Sequence, residues 1–433
     1  MTESGTIRTP GMPRAGRPRT NGAATRRRRH AAERRLQIYG ILAITTAVGL
    51  LAILLLTLVI GGHRAFVQTH IRVDFPISDE YINAEHLARS DWRAMVGDGM
   101  AALLPPTASV AEARAQQKIL TNNTQFYLRD AVLADPGVIG GTLTLDVPAS
   151  DPFDQFNKGV VSRDVPEQNR RVTDAQLLWF ESLVAQGRVT TPFNWALFFN
   201  ADSRFPEIAG LSGAIVGSVY ALLVCFLISF PVGIAAAAYL EEFAPKNRWT
   251  DLIEVNINNL AAMPSIVFGL LGLAVFIQSF GLPRSAPLVG GLVLSLMTLP
   301  TIIIVTRASL KAVPPSIRQA ALGVGASRHQ VVMHHVLPLA LPGILTGTII
   351  GLARALGETA PLLLIGMNAF ITSPPGGLLD ASTALPTQIY IWADSPERGF
   401  VARTSAGILI LLGFLITMNA VAIFMRQRLE RRW

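Results

Sequence analysis

Long apolar runs alternate with polar segments along this chain, and the runs determine the predicted architecture. Five runs contain no charged residue and reach the roughly 20 residues that a helix needs to cross a membrane. They are residues 36–62, 208–240, 255–283, 285–306 and 404–425. A sixth run, residues 342–366, is equally apolar except for Arg354 and Glu358. The pattern therefore predicts six membrane-spanning helices.

The segment between the first two runs, residues 63–207, has the composition of a soluble domain. It contains 18 acidic and 13 basic residues, a net charge of −5. Periodicity predicts three helices and one strand. The helices are predicted at residues 84–104, 110–133 and 173–186, and the strand at 137–147. We therefore expect an α+β domain inserted between helices 1 and 2, without a recognisable nucleophile, phosphate-binding loop or metal-ligand spacing.

Composition and charge also indicate a membrane protein. Of the 433 residues, 50% are hydrophobic and 15% are charged, whereas about a quarter are charged in soluble domains. Ten arginines precede residue 36 and four follow residue 425, which places both termini on the cytoplasmic side. The loop at residues 241–254, with four acids and two bases, is an exception to this rule. Because no basic patch is interleaved with aromatic residues, we expect no nucleic-acid partner.

These patterns predict four regions. Residues 1–37 form a basic, disordered cytoplasmic tail near anionic lipid, and residues 38–62 form transmembrane helix 1, read as an uncleaved anchor. Residues 63–207 form the periplasmic insert, and residues 208–433 form a core with helices 2–6. Cys225, the only cysteine, lies in a predicted span, so we expect no intramolecular disulfide and no cysteine-based metal site.

Residues 311–341 form a polar segment without an acidic residue, directly ahead of the fifth span. Two capping-box patterns predict two short helices, which begin at Ser316 and Ser327. Glycines separate these helices, and Pro338 ends the second. The segment is thus predicted to form a compact cytoplasmic protrusion that a soluble partner can bind, with an ordinary surface loop as the alternative.

The fifth span combines small and charged residues. Gly343, Gly347 and Gly351 recur every four residues, a spacing that lets another helix approach closely. On a continuous helix Arg354 and Glu358 would lie within about 60° of Gly351, beside this ridge and away from lipid. They are four residues apart and can pair, which offsets part of the cost of charge inside a membrane. Two interpretations stay open: the pair fixes helix packing, or it borders a substrate pathway and responds to an anion.

The polar segment resembles the coupling loop of bacterial ABC importer permeases. That pattern reads Glu-Ala-Ala, three residues, Gly, nine residues, a hydrophobic residue, any residue and Leu-Pro. Here Gln319 replaces the glutamate and His335 the hydrophobic residue. In the family this loop binds the ATPase subunit. The resemblance implies ATPase coupling through Ser316, Arg318, Gln319, Ala320, Ala321, Gly325, Ser327, Arg328, Leu337 and Pro338.

The stretch ARALGETAPLLLIG resembles the signature of phosphate-importer permeases, and the Ala360-Pro361 pair favours the PstA type over the PstC type. Three further motifs fit the same family: PVGIAAAAYLEEFAP, NNLAAMPSIVFGLLGLAVF and ALPTQIYIWADSPE. The resemblance implies an all-α polytopic membrane protein with the type I ABC importer permease fold, extended by the α+β insert. It also implies that Arg354 and Glu358 border the phosphate pathway.

The resemblance further implies an assembly in the bacterial inner membrane. A PstC-like permease would enclose the pathway with this chain, a PstB-like ATPase dimer would bind ATP and Mg, and a PstS-like protein would deliver phosphate. The chain has no Walker motif, so we expect it to be non-catalytic and to bind no cofactor itself. Two alternatives stay open: a permease for another oxyanion, such as phosphonate or sulfate, and a membrane-anchored sensor that acts through its insert.

Overall fold

The computed structural model describes residues 22–83 and 86–429, which begin with the long helix α1 (Gly22–Gly62). Ahead of its apolar run, α1 is rich in Ala and Arg, which are strong helix formers. The prediction of a disordered tail is therefore wrong for residues 22–37. Residues 1–21 of the predicted tail lie outside the described residues.

The insert folds into an α+β domain, which confirms its predicted class. Its antiparallel sheet has the order β2-β1-β3. The strands are β1 (His70–Pro76), β2 (Thr142–Pro148) and β3 (Val189–Thr190). The accompanying helices are α2 (Trp92–Leu103), α3 (Val110–Gln117), α4 (Thr124–Ala134), α5 (Asp151–Asn157), α6 (Asp174–Ala185) and α7 (Ala196–Phe199).

The core of the insert lies between the sheet and the helices. Alternate residues of β1, namely Ile71, Val73 and Phe75, are buried, as expected for a strand with one covered face. They pack with residues of α2, α4 and α6 in one hydrophobic cluster. The single helix predicted at residues 110–133 is wrong: α3 and α4 are separate, because Leu120 between them forms a β-bridge with Ala149.

The helical core follows the insert. Its α-helices are α8 (Ser212–Ala238), α9 (Arg248–Ala262), α10 (Ser265–Gly272), α11 (Pro287–Lys311), α12 (Pro315–Gly323), α13 (Arg328–Gln330), α14 (Leu337–Gly357), α15 (Ala360–Leu364), α16 (Leu385–Ala393) and α17 (Gly399–Leu429). π-Helical turns extend α8 over Tyr239–Phe243 and α10 over Leu273–Ser279, and a third turn, Val331–Val336, joins α13 to α14.

Five helical stretches of the described chain are long and apolar enough to cross a membrane. They are Arg29–Phe66, Ser212–Phe243, Pro287–Lys311, Arg328–Gly357 and Gly399–Arg428. The run at residues 255–283 is not the single straight span predicted, because α9 and α10 meet at 101°. Pro264 lies at this break, where it lacks an amide hydrogen and restricts the residue before it. If the bent pair counts as one span, the six predicted spans are present.

Helix α11 contacts both α8 and α14 at the centre of the core. Helix α8 has 27 residues and is therefore about 40 Å long. At its start the Ser212 hydroxyl donates a hydrogen bond to the Asn200 carbonyl, which belongs to the insert. We call this end of the core the insert end. The opposite end, which carries residues 311–341, is called the coupling end.

Candidate functional site

The coupling segment, residues 311–341, forms a helical hairpin at the coupling end. Gly325, with φ of 88°, reverses the chain after α12, a conformation that favours glycine. The Ser327 hydroxyl accepts a hydrogen bond from the Gln330 amide at 3.4 Å, and the Gln330 side chain accepts one from the Ser327 amide at 2.9 Å. This capping box confirms the predicted start of the second helix. Ala321 and Val331 pack together inside the hairpin.

Two predicted details of this segment are wrong. Helix α12 begins at Pro315 without a side-chain cap, so Ser316 lies inside the first turn; proline is favoured there because its missing amide hydrogen needs no partner. The second helix does not end at Pro338, since the helical path continues over Arg328–Gly357. The π-helical turn Val331–Val336 precedes Pro338 and accommodates the hydrogen bond that proline cannot donate.

This continuity joins the polar hairpin directly to an apolar span. Arg328–Gly357 contains 30 residues and is therefore about 45 Å long. Arg328–Gln330 and residues 333–335 are exposed at the coupling end, whereas Gly347, Gly351 and Ala355 are buried in the core. A displacement of the hairpin can thus be transmitted along one helix, without passing through a flexible loop.

The residues predicted to contact an ATPase fall into two groups. Seven are exposed: Ser316, Gln319, Ala320, Gly325, Ser327, Arg328 and Pro338. Arg318, Ala321 and Leu337 face the protein and hold the hairpin together. At the tip, the apolar side chains of Leu322 and Val324 are 49% and 86% exposed. Neither was predicted from the sequence, although an apolar residue between two glycines is an available signal of such a tip.

Arg318 ties the hairpin to the helical core. Its Nη2 and Nε atoms donate to the carboxylate of Glu242 at 2.7 and 3.2 Å. Its Nη1 and Nη2 atoms also donate to the carbonyls of Val313 and Leu310, at 2.7 and 2.8 Å, near the C-terminus of α11. A guanidinium that satisfies terminal carbonyls stabilises a helix end. Arg318 thus fixes the start of α12 to α11 and to the turn after α8.

Further ion pairs lie beside Arg318. Arg307 donates to Glu254 at 2.6 Å and to Glu241 at 3.3 Å, and the Nζ atom of Lys311 lies 3.5 Å from Glu241. These contacts join α11 to the end of α8 and to α9. We call the whole group the charge clamp, and it consists of Arg307, Lys311, Arg318, Glu241, Glu242 and Glu254.

The charge clamp explains the acidic loop that departs from the charge rule. Residues 241–254 supply three carboxylates, and their basic partners lie 53 to 76 positions further along the chain. An acidic loop and a basic loop on the same side of a membrane protein are the signal available in the sequence. The individual partners could not be predicted, because the packing of α8, α9 and α11 brings them together.

The glycine ridge of α14 lies against α11. A Cβ atom on Gly347 would lie 2.1 Å from Cγ1 of Val305, and one on Gly343 would lie 2.5 Å from Oγ of Ser309. At Gly351 the nearest atom would be 3.9 Å away, an ordinary contact distance. The two helices therefore approach closely at the first two glycines, where a larger side chain would force them apart.

Arg354 and Glu358 lie at the far end of α14. The helix ends at Gly357, and Glu358 has extended backbone geometry, so it does not continue the helix as predicted. The Nε atom of Arg354 lies 3.6 Å from Oε1 of Glu358, an ion pair beyond hydrogen-bond distance. The Arg354 side chain is 59% exposed and that of Glu358 is 20% exposed. Within the described chain no acceptor is hydrogen-bonded to this guanidinium, so its donors are available to an anion.

A second charged group is buried at the insert end. Arg403, in the first turns of α17, is 4% exposed. Its guanidinium donates to the carbonyl of Ala209 and, at 3.3 Å, to Oε1 of Gln68. The sequence gives no sign of this burial, because the position of Arg403 near the start of a span does not reveal that the insert covers it.

Three carboxylates of the insert, those of Asp151, Asp154 and Glu207, lie near enough to this arginine to attract it electrostatically. Asp154 forms an ion pair with Lys158 at 2.6 Å and accepts a hydrogen bond from the Thr69 amide at 2.9 Å. Glu207 accepts a hydrogen bond from the Thr121 hydroxyl at 2.8 Å. We call the charged group the insert seam, and it consists of Asp151, Asp154, Lys158, Glu207 and Arg403. It holds α5 and the segment before α8 against the start of α17.

Burial perturbs the ionisable groups of the insert seam. It raises the pKa of the Asp151 and Glu207 carboxyl groups, although hydrogen bonds from Gln155 and Thr121 oppose this rise. Burial also lowers the pKa of the Lys158 ammonium, against the attraction of Asp154. Since the charged forms are disfavoured by desolvation, the insert seam depends on every charge keeping its partner.

Two family models match different parts of the chain. Residues 23–167 match a domain of unknown function, DUF3333, and residues 229–433 match the binding-protein-dependent transport system inner membrane component. The second match includes the coupling segment, the charge clamp and the Arg354–Glu358 pair. A solved structure of the MetNI methionine ABC transporter in inward-facing conformations is 18% identical to this chain. The match covers 51% of this chain and 95% of the MetNI chain, with a TM-score of 0.38.

Individual proteins are also similar to this chain. The probable ABC transporter permease protein YqgI of Bacillus subtilis is 35% identical over 166 residues, and this chain spans 55% of that relative's length. The phosphate transport system permease protein PstA 2 of Mycobacterium bovis is 30% identical over 281 residues, which are 61% of this chain and 91% of the relative. With this identity over nearly the whole of the second relative, the chain belongs to the PstA family of phosphate transport system permease proteins.

Proposed function

We propose that this chain is the non-catalytic permease subunit of an ATP-driven phosphate importer in a bacterial inner membrane. The observation that carries the proposal is the helical path Arg328–Gly357, which joins an exposed cytoplasmic hairpin to Arg354. The name of the PstA relative supports phosphate as the substrate. A sensor that acts through the insert would have no need for this connection.

The hairpin receives the movement of an ATPase in this proposal. The exposed tip, Leu322 and Val324, offers apolar surface to a cleft of the ATPase subunit. The charge clamp then makes the hairpin move together with α8, α9 and α11. Through the continuous helix, the same movement reaches α14 and the residues beyond Gly357.

Arg354 serves as a transient contact for phosphate. Its guanidinium is loosely paired with Glu358 at 3.6 Å, so an entering phosphate can replace the carboxylate as its partner. Glu358 remains close and repels the bound anion, which favours release. One arginine beside a glutamate cannot hold phosphate tightly, and this suits a pathway in which a strong site would trap the ion.

The proposed assembly contains three kinds of partner. A PstC-like permease completes the pathway, a PstB-like ATPase dimer binds ATP and Mg at the coupling end, and a PstS-like protein delivers phosphate at the insert end. Both termini are cytoplasmic in this arrangement, in agreement with their basic residues. Helix α9 buries none of its residues against the part of the chain that the structure describes, which leaves its surface for a partner subunit or lipid.

Docking of the ATPase can be tested at the hairpin tip. The chain is coexpressed with its ATPase as Val324→Asp, with Val110→Asp, a change at a 70% exposed valine of the insert, as control. We expect Val324→Asp to abolish both copurification of the ATPase and phosphate uptake, because a carboxylate is unfavourable in an apolar contact. The control should retain both. Copurification of the ATPase with Val324→Asp at the unmodified level would contradict this docking site.

The substrate pathway can be tested with Arg354→Gln, which keeps hydrogen-bond donors and removes the charge. In proteoliposomes that contain the complete transporter, we expect uptake of radiolabelled phosphate to be lost while ATPase association persists. Normal uptake would mean that the Arg354–Glu358 pair serves helix packing only. In the unmodified transporter, excess sulfate or phosphonate should leave phosphate uptake unchanged, whereas strong competition would indicate a different oxyanion as substrate.

A further inference from the structure

Five aromatic side chains cluster where the insert meets the first two spans. We call them the aromatic wedge, and they are Phe66, Phe193, Trp195, Phe198 and Phe199. Ring centroids are 6.4 Å apart between Phe66 and Phe193, 4.8 Å between Phe193 and Trp195, and 6.0 Å between Trp195 and Phe199. Phe66 is the last residue of the first span, so these contacts place the wedge at the level where that span ends.

Hydrogen bonds fix the wedge to both neighbouring spans. The Asn194 amide donates to the Phe66 carbonyl at 2.8 Å, and the Asn194 side chain donates to the Ala65 carbonyl at 2.9 Å. On the other side, the Leu211 amide donates to the Leu197 carbonyl at 2.8 Å, immediately before α8 begins. The wedge therefore cannot move away from the ends of the two spans without breaking these bonds.

The outer part of the wedge is exposed. Phe193, Trp195 and Phe199 are 44%, 64% and 73% exposed, while Phe66 and Phe198 pack against a buried cluster at the base of the insert. Three large aromatic side chains thus point away from the protein at one level of the molecule. Tryptophan and other aromatic residues are enriched at membrane–water interfaces, where one side of the ring is apolar and the other hydrated.

We propose that the aromatic wedge inserts into the lipid interface at the insert end, so that the insert domain lies against the membrane surface. The partner is phospholipid, at the boundary between headgroups and acyl chains. Continuity with the ends of two spans favours lipid over a soluble protein, because the rings pack against Phe66, four residues after the uncharged run 36–62 ends, and are bonded to the start of α8. This contact is independent of the substrate that the chain transports.

Nitroxide labels can locate the wedge relative to lipid. The label is attached in Trp195→Cys and, separately, in Phe199→Cys, with Val110→Cys elsewhere on the insert as the matched exposed control. The native Cys225 is fully buried and should not react. Each full-length variant is reconstituted in phosphatidylcholine and phosphatidylglycerol nanodiscs, and accessibility to oxygen and to nickel-EDTA-diacetate is measured. Oxygen concentrates in lipid and the nickel complex in water.

We expect the ratio of oxygen to nickel accessibility to be several-fold higher at positions 195 and 199 than at position 110. Equal ratios at all three positions would place the wedge in water and overturn the proposal. Low accessibility to both reagents at the wedge would show that protein covers it, which also overturns the lipid contact. Because the substituted side chains are exposed, the variants should fold, and phosphate uptake by each reconstituted transporter checks this.

Discussion

Charged side chains hold both ends of the helical core, but the two ends differ in burial. In the charge clamp, the side chains of Arg307 and Arg318 are 16% and 23% exposed, so water still reaches the ion pairs. In the insert seam, Arg403 is 4% exposed and Glu207 is also 4% exposed. A partly hydrated pair can separate at modest cost, whereas a buried ion that loses its partner is strongly destabilising. The coupling end is therefore suited to transmit movement and the insert end to hold a domain in place.

The largest effect should come from Arg403→Met, which removes the buried cation of the insert seam and keeps a long apolar side chain. We expect a loss of about 3–5 kcal/mol in the free energy of unfolding, since the Ala209 carbonyl and Gln68 lose their buried hydrogen-bond donor and the nearby carboxylates lose a compensating charge. Thermal unfolding in detergent and limited proteolysis of the insert would measure it.

An exposed ion pair in the insert gives the matched control. Arg72 and Asp146 lie on neighbouring strands, 3.0 Å apart, with side chains 55% and 45% exposed. Arg72→Met should lower the free energy of unfolding far less than Arg403→Met, because water screens an exposed ion pair. Equal losses of stability in Arg403→Met and Arg72→Met would show that burial does not make the insert seam more sensitive than an exposed ion pair.

A smaller effect is expected at the charge clamp. Arg307→Gln breaks the pairs with Glu241 and Glu254, and we expect it to cost about 1.5–3 kcal/mol, reduced by the remaining contact with water. The thermal unfolding midpoint in detergent is the measurement. Arg328→Gln, at an exposed position of the hairpin, should leave the midpoint unchanged. A loss for Arg307→Gln as large as that for Arg403→Met would remove the contrast between the two ends.

Helix α14, which continues from the hairpin into the core, can be tested at its closest contact with α11. Gly347→Ala places a methyl group against Val305 and should cost about 1–3 kcal/mol through displacement of α14 from α11. Gly413→Ala, in α17, is the control, because a Cβ atom there would meet nothing within 4 Å. The unfolding midpoint of Gly347→Ala should be lower than that of Gly413→Ala. Equal midpoints would contradict the close approach of α14 and α11.

The smallest effect concerns pH. Burial raises the folded-state pKa of Glu207, so the folded chain retains a proton that the unfolded chain releases above its ordinary pKa of about 4.3. Stability is therefore lost as the pH rises from that ordinary value through the raised pKa. Glu207→Gln removes this dependence and can still accept the Thr121 hydrogen bond.

Because burial disfavours the ionised carboxylate, we expect Glu207→Gln to be more stable than the unmodified chain at neutral pH. Unfolding midpoints of Glu207→Gln should vary less with pH than those of the unmodified chain between pH 4 and pH 8. A curve as steep as that of the unmodified chain would show that Glu207 is not the group that titrates.

Local patterns predicted much of the fold, because hydropathy and capping depend on neighbours in the sequence. The long apolar runs became helices, and Ser327 began a helix through contacts within three residues. Errors arose where two local signals competed. Pro315 displaced Ser316 as the start of α12, and Pro264 bent a run that is uncharged throughout.

The charge clamp and the insert seam could not be predicted, since each joins residues far apart in the chain. Glu242 and Arg318 are separated by 76 positions, and Gln68 and Arg403 by 335. Sequence composition shows that the charges exist, but only the packing of helices and of the insert decides which are paired and which are buried.

A charge exchange at Arg318 and Glu242 tests the claim that the charge clamp transmits movement. Phosphate uptake and ATPase association are measured for Arg318→Glu, Glu242→Arg and the double variant in the reconstituted transporter. We predict that each single variant binds the ATPase but loses uptake, and that the double variant regains part of the uptake by restoring the pair. Uptake that persists in both single variants, or stays absent in a double variant that still binds the ATPase, would contradict this role.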